Sequence, residues 1–134
     1  MAGLVIDASV AVKWFLREDR AEAAHQLIAS GERLIAPDLV VFEVFSAIWG
    51  AVRSKRVPSE KLDELAPLIP LAFADLPPTF ELYTRAAWLS SRYGHAVYDC
   101  IFLALAEREE APLVTADDRL FAVARRARIG ARLL

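Results

Sequence analysis

Three short apolar runs, each followed by a segment of helical spacing, set the fold class of this chain. Leu4-Val5-Ile6, Leu34-Ile35-Ala36 and Leu113-Val114-Thr115 carry no charge and are too short to be helices. Such runs read as strands buried on both faces, as in a parallel sheet covered by helices. The first helical segment is expected from Ser9 to about Arg17, and the second from about Arg20 to Ser30, stopped by Gly31. Asp38 is placed to cap a long helix through Val52. Pro58 and Ser59 start a further helix that Pro67 and Pro70 bound. Ala72-Phe73-Ala74 reads as a short strand. Thr79 is placed to cap a helix to about Arg92, broken by Gly94. Val97–Glu109 is helical by its apolar spacing, and Asp117 or Asp118 caps a last helix to about Arg126. Ile129–Leu134 supplies a final edge strand. The alternation is that of an α/β protein with a mostly parallel sheet. Ligands bind such sheets beyond the carboxyl ends of the strands, at a switch in strand order. Chemistry is therefore sought just after Ile6, Ala36 and Thr115.

The chain of 134 residues is expected to form one domain, residues 1–134, large enough to bury about two-thirds of its unfolded surface. With 56% hydrophobic and 25% charged residues it is not a disordered chain. Mean hydropathy of +0.32 leaves apolar residues to spare for a partner interface. One cysteine excludes an intramolecular disulfide framework, and with only two histidines a zinc site is disfavoured. A net charge of −2 does not advertise nucleic-acid binding. The apolar stretch Leu39–Val52 keeps Glu43 and is too short for a bilayer. Asp7 interrupts the apolar N-terminus, which has no basic leader region. A cytoplasmic protein without a membrane segment is expected.

Four acids stand in apolar company. Asp7 is the only charged residue in Met1–Val12, and Glu43 the only one in Leu39–Val52. Asp99 is the only acid between Tyr93 and Ala106. Asp117 follows the uncharged run Ala111–Ala116. An ionised carboxylate in an apolar setting costs several kcal/mol or more unless a cation or hydrogen bonds compensate it. Each acid has an ordinary explanation. Asp7, and Asp117 or Asp118, can cap helices, Glu43 can pair with a buried arginine, and Asp99 can sit on a solvated edge. Together these explanations weaken, because Asp7 and Asp117 fall at strand ends while Glu43 and Asp99 interrupt apolar helices. If the four converge, their oxygens suit a hard cation such as Mg²⁺ or Mn²⁺. Such an ion can activate water and neutralise a phosphodiester. Ser9 and Thr115 add hydroxyls at the same strand ends, to orient water or a carboxylate or simply to complete the turns.

In four segments, taken in order, the chain resembles the PIN-domain family and its VapC-like toxin branch. They are Leu4-Val5-Ile6-Asp7-Ala8-Ser9-Val10; Pro37-Asp38-Leu39 leading to Glu43; Tyr98-Asp99-Cys100-Ile101-Phe102-Leu103-Ala104-Leu105-Ala106-Glu107; and Leu113-Val114-Thr115-Ala116-Asp117. The resemblance implies a three-layer α/β/α sandwich with a central, mostly parallel sheet. It also implies an Mg²⁺- or Mn²⁺-dependent endoribonuclease, dimeric and held inactive by a cognate antitoxin. Asp7, Glu43, Asp99 and Asp117 occupy the positions of the family's acidic metal site, Asp7 and Asp99 as the firmest ligands. Ser46 replaces the asparagine that many relatives carry there. The Thr-x-Asp spacing favours Asp117 as fourth acid and leaves Asp118 as a cap or supporting group.

An acidic pocket needs positive charge nearby to accept RNA. Residues 117–134 carry five arginines against Asp117 and Asp118, a net of +3, so the other 116 residues carry −5. Lys13, Arg17 and Arg92 are further phosphate-contact candidates, whereas Arg125 and Arg126 suit the dipole at a helix C-terminus. Trp14, Phe15, Phe42, Phe45 and Trp49 are expected mostly in the core, the excess facing an antitoxin segment or a dimer mate. Tyr83 and Trp88 are alternatives for the dimer face. A phosphate-accepting receiver domain is disfavoured, because its late lysine is missing: the lysines are Lys13, Lys55 and Lys61. An aspartate-nucleophile phosphatase would want a second acid where Ser9 stands. The more serious rival is a catalytically silent PIN-fold binding module, and a DNA-directed or structure-specific nuclease, for whose added gripping elements the chain has little room, is a third reading.

Overall fold

The computed structural model describes residues 3–134. Its sheet has four parallel strands: β1 (Leu4–Ile6), β2 (Leu34–Ile35), β3 (Leu113–Thr115) and β4 (Ala131–Leu133). Their spatial order is β2-β1-β3-β4. Helices flank this sheet: α1 (Ala8–Ala11), α2 (Ala21–Ala29), α3 (Leu39–Arg53), α4 (Glu60–Leu65), α5 (Tyr83–Tyr93), α6 (Val97–Glu109) and α7 (Asp118–Arg126). The expected α/β class and parallel sheet are thus found. From β1 the chain goes outward to β2 on one side and returns to β3 on the other, so the order reverses between β1 and β3. Their carboxyl ends face one crevice, and Asp7 N–H bonds to the Val114 carbonyl at 3.0 Å across it.

The three apolar runs are strands because each is buried throughout. α6 packs against β1 and β3 and is buried continuously from Cys100 to Ala106. That explains its lack of a polar stripe. β4 is the edge strand, and it exposes Arg132 and Leu133. A charged edge of this length offers little template for further pairing. Gly94 ends α5 at φ 62°, a left-handed turn that glycine makes without penalty.

Several boundaries differ from those expected. The first helix is only four residues of α-helix followed by a 3₁₀ turn, Val12–Trp14, and does not reach Arg17. The turn is pinned by Trp14 Nε1, which donates to the Ala24 carbonyl at 2.8 Å and binds the segment to α2. Ala72-Phe73-Ala74 is not a strand. Pro70 starts a 3₁₀ turn, Pro70–Ala72, and only an isolated bridge joins Ile35 to Asp75. Pro70 before it and Pro77-Pro78 after it leave little room for a ladder. The helix expected from Thr79 opens as a 3₁₀ turn, Thr79–Leu82, before α5.

The two capping expectations on this side are exchanged. The Asp38 carboxylate does not cap α3. Its Oδ1 accepts from Thr79 N–H at 2.9 Å and from Thr79 Oγ1 at 2.6 Å. Thr79 Oγ1 in turn accepts from Leu39 N–H at 2.9 Å, so the first turn of α3 is capped from 40 residues away. This bond staples the start of α3, and with it Glu43, to the entrance of α5.

The aromatic set is not mostly core. Trp14 and Phe15 are half-buried, but Phe42 is 70% exposed, Trp49 46% and Phe45 37%. Tyr83 and Trp88 are also exposed. Among the described residues no helix is long and apolar enough to cross a membrane.

Candidate active site

Asp7 stands at the N-cap position of α1, with extended backbone (φ −70°, ψ 151°), yet its carboxylate does not cap the helix. It is 5% exposed. Oδ2 instead accepts two hydroxyl protons, from Ser9 at 2.6 Å and from Thr115 at 2.8 Å. Each hydroxyl is itself oriented by a backbone N–H: Ala116 to Ser9 Oγ at 2.9 Å, and Asp117 to Thr115 Oγ1 at 3.0 Å. The backbone after β3 therefore fixes the hydroxyls, and the hydroxyls fix Asp7. These bonds favour the ionised form, but burial outweighs them, and Asp99 adds repulsion. The Asp7 carboxyl is held above its ordinary range.

Glu43 projects from α3 beside it. Its Oε1 is buried and has no hydrogen-bond partner among the described residues. Burial first, then the charges of Asp7 and Asp99, pushes its carboxyl up to about 7. Among the described residues no buried arginine neutralises it. Asp99, in the first turn of α6, completes the group. Its Oδ2 lies 2.8 Å from His95 Nε2, an i,i+4 pair that straddles the start of the helix. The same charge and, above all, burial push the neighbouring Cys100 thiol up to about 11, which keeps it a neutral core side chain. His95 was not among the residues singled out from the sequence. The signal was present in the His-x-x-x-Asp spacing.

Asp117 is positioned differently. It is the N-cap of α7, and its Oδ1 accepts from Arg119 N–H at 2.8 Å and Leu120 N–H at 3.3 Å. The cap is thus Asp117, and Asp118 is the exposed first residue of the helix. Asp117 is joined to the acidic group through Thr115, but its charge is not among the causes that raise Asp7 and Glu43. The structure therefore couples Asp7, Glu43 and Asp99, with Asp117 alongside. Among the described residues no three or more His, Cys, Asp or Glu side chains are drawn into a ready metal-holding cluster. The coupling acts over longer distances than a coordination shell. Of the basic candidates, Lys13 is buried and paired with Glu18 at 3.3 Å, so it does not present itself to a phosphate. Arg17 and Arg92 are exposed. Arg125 and Arg126 lie in the last turn of α7.

The fold is that of a PIN-type protein. The sequence matches the PIN domain family model over residues 4–126, and the chain belongs to that family. Among curated proteins it is similar to Ribonuclease VapC3 of Pyrobaculum aerophilum, with 28% identity over 119 residues, 87% of this chain and 91% of that one. Solved structures share the fold. PAE2754 from Pyrobaculum aerophilum superposes with TM-score 0.70 at 23% identity, covering 91% of this chain and 84% of that one. VapBC2 from Rickettsia felis, solved bound to a DNA fragment from its promoter, gives 0.66 at 14% identity and covers 98% of each chain. FitAcB from Neisseria gonorrhoeae gives 0.64 at 17%, covering 96% and 95%.

Proposed function

We propose that this chain is a divalent-metal-dependent endoribonuclease and the toxin of a toxin–antitoxin pair. The observation that carries the reading is Glu43 Oε1, buried without a hydrogen-bond partner among the described residues on a side chain that feels the charges of Asp7 and Asp99. A side chain so placed suits a cation better than any structural role. Three carboxylates suit Mg²⁺, with Mn²⁺ as a substitute; His95 is engaged with Asp99 and Cys100 is buried as a neutral thiol, so oxygen dominates the donor set. Asp7, Glu43 and Asp99 would hold the ion, and Asp117 would join them directly or through water. When bound, such an ion acidifies water and neutralises charge on a phosphodiester.

The chain's own residues have separable tasks. Ser9 and Thr115 hold the Asp7 carboxylate in one orientation. His95 fixes the rotamer of Asp99. Glu43, raised to about 7 by burial and by the charges of Asp7 and Asp99, is the acid whose ionised form gains most from a cation, and one of the carboxylates would orient or deprotonate the attacking water. Asp117 ties the site to the N-terminus of α7. The similarity to Ribonuclease VapC3 supports RNA as substrate. The likeness to VapBC2 and FitAcB is compatible with a protein antitoxin as partner, and the exposed aromatic faces suit an antitoxin or a homodimer mate. We place the protein in the cytoplasm as a single domain over residues 1–134.

The test is cleavage of total and structured RNA by purified protein freed of any bound partner, with Mg²⁺ or Mn²⁺, with EDTA, and with Asp99→Asn. Cleavage lost in both controls is the expected result. Absence of cleavage from folded protein under every condition would leave a silent binding module.

A further inference from the structure

Arg20 ends a run of four charged residues, Arg17-Glu18-Asp19-Arg20, just before α2. Its backbone is left-handed, at φ 62°, where a residue with a side chain is strained unless its surroundings hold it there. The residue is exposed, and among the described residues it enters no ion pair. Its guanidinium reaches main-chain oxygens far along the chain instead. Nη1 donates to the Leu134 oxygen at 2.5 Å, and Nη2 to the Ala116 oxygen at 3.5 Å, the outer limit of such a bond. A planar guanidinium can hold two oxygens at once, which an ammonium does with less geometric control.

These oxygens belong to the turn that follows β3 and to the end of β4. A trans peptide is planar, and its C=O and N–H point in opposite directions, so fixing the oxygen fixes the N–H. The Thr115–Ala116 peptide is held at its oxygen by Leu134 N–H at 2.8 Å, and its own N–H orients Ser9 Oγ. The Ala116–Asp117 peptide is held at its oxygen by Arg20, and its own N–H orients Thr115 Oγ1. The two hydroxyls then meet on Asp7 Oδ2. Arg20 enters both routes, because its shorter bond fixes Leu134, just past a three-residue edge strand whose end would otherwise fray. We propose that Arg20 is a positioning residue for Asp7, acting through the two peptides after Thr115. This assignment rests on the ribonuclease reading and adds to its machinery a residue that bonds to none of the acids.

The test begins without metal or RNA. Amide hydrogen exchange followed by NMR, on the full chain in EDTA, compares wild type with Arg20→Ala, Arg20→Lys and Leu134→Pro. Arg20→Ala should quicken exchange at Ala116 and Asp117 about 10- to 100-fold and leave the amides of α6 unchanged. Lysine has no fork and should restore little of that protection. Leu134→Pro removes the N–H that holds the Thr115 oxygen, so it should free Ala116 in the same way without altering any charge. Arg20→Ala should also weaken Mn²⁺ binding about 10-fold, and lower kcat with little change in KM. Arg20 is exposed, so circular dichroism should show its variants folded. Unchanged exchange at both amides in Arg20→Ala would overturn the assignment. A raised KM with kcat intact, restored by lysine, would also overturn it and mark a phosphate contact. If the wild type cleaves RNA while the two amides do not respond, only the role of Arg20 fails. If the amides respond but the wild type cleaves no RNA, the ribonuclease reading fails and the hold on Asp7 stands.

Discussion

Replacing Glu43 with glutamine should make the metal-free protein more stable at pH 8 while abolishing cleavage. The carboxyl rises from 4.5 to about 7 on folding, chiefly through burial and then through Asp7 and Asp99. The folded protein therefore holds this proton more tightly than the unfolded chain. The acid costs nothing below about pH 4.5, its cost grows as pH rises towards 7, and it is fully present above 7. At about 1.4 kcal/mol per pH unit the shift corresponds to about 3 kcal/mol. Glu43 is only half-buried, so solvent screening reduces this to about 1–2 kcal/mol. Glutamine keeps the shape and removes the charge. For a domain of this size the gain should raise Tm by about 4–8 °C at pH 8 and by almost nothing at pH 4.5. Thermal unfolding in EDTA at both pH values measures it. Adding Mn²⁺ should then raise the Tm of the wild type, because an ion that binds only the folded state stabilises it, and should raise that of the variant far less. A variant no more stable than wild type at pH 8, or equally stabilised at both pH values, would refute the argument that Glu43 is an uncompensated acid.

Thr115→Val removes one of the two donors to Asp7 and leaves Asp117 N–H without its acceptor. It should cost about 1–3 kcal/mol in urea unfolding and push the Asp7 carboxyl further up, moving the acid limb of the cleavage profile to higher pH. Asp117→Asn should keep the cap on α7 and change stability little, whereas Asp117→Ala should cost about 1 kcal/mol. Loss of cleavage in the asparagine variant would show that the charge, and not only the cap, is needed. Thr79→Ala should cost about 1–2 kcal/mol, because it uncaps Leu39 and strips one donor from Asp38. Since that bond positions α3, cleavage should fall with stability.

The parts of the fold that depend on burial alone could be read from the sequence. β1, β3 and α6 fall where their apolar runs fall, because a strand or helix covered on every side has no polar face to obscure its limits. The misread parts involve partners distant in sequence. Asp38 and Thr79 both look like caps for their own helices, and each fits that pattern locally. In the folded chain they bond to each other, and the threonine caps the other's helix. The shortened first helix has a similar cause, a tryptophan bond to a carbonyl ten residues on that no periodicity records. Phe42 and Trp49 were expected inside because large apolar residues usually are, but composition does not say which face of α3 the sheet covers.

The acidic site was legible for the opposite reason. Its residues break local rules, and such breaks are visible without knowing the fold. Asp7 and Glu43 each stand alone in an apolar run; that Asp7 does not cap its helix and that Glu43 Oε1 has no partner among the described residues came only with the fold. Asp117 broke no rule: as an N-cap its sequence context is fully explained, which is why the same reasoning sets it apart from the other three. His95 broke none either, since a histidine before a helix is unremarkable until Asp99 is seen to need a partner. The cost of the site thus falls where the charges are coupled. The residues that lower it, Ser9 and Thr115, also tie the start of α1 to the turn after β3. Stability and site geometry therefore meet in two hydroxyl groups, and a change at either should be felt in both.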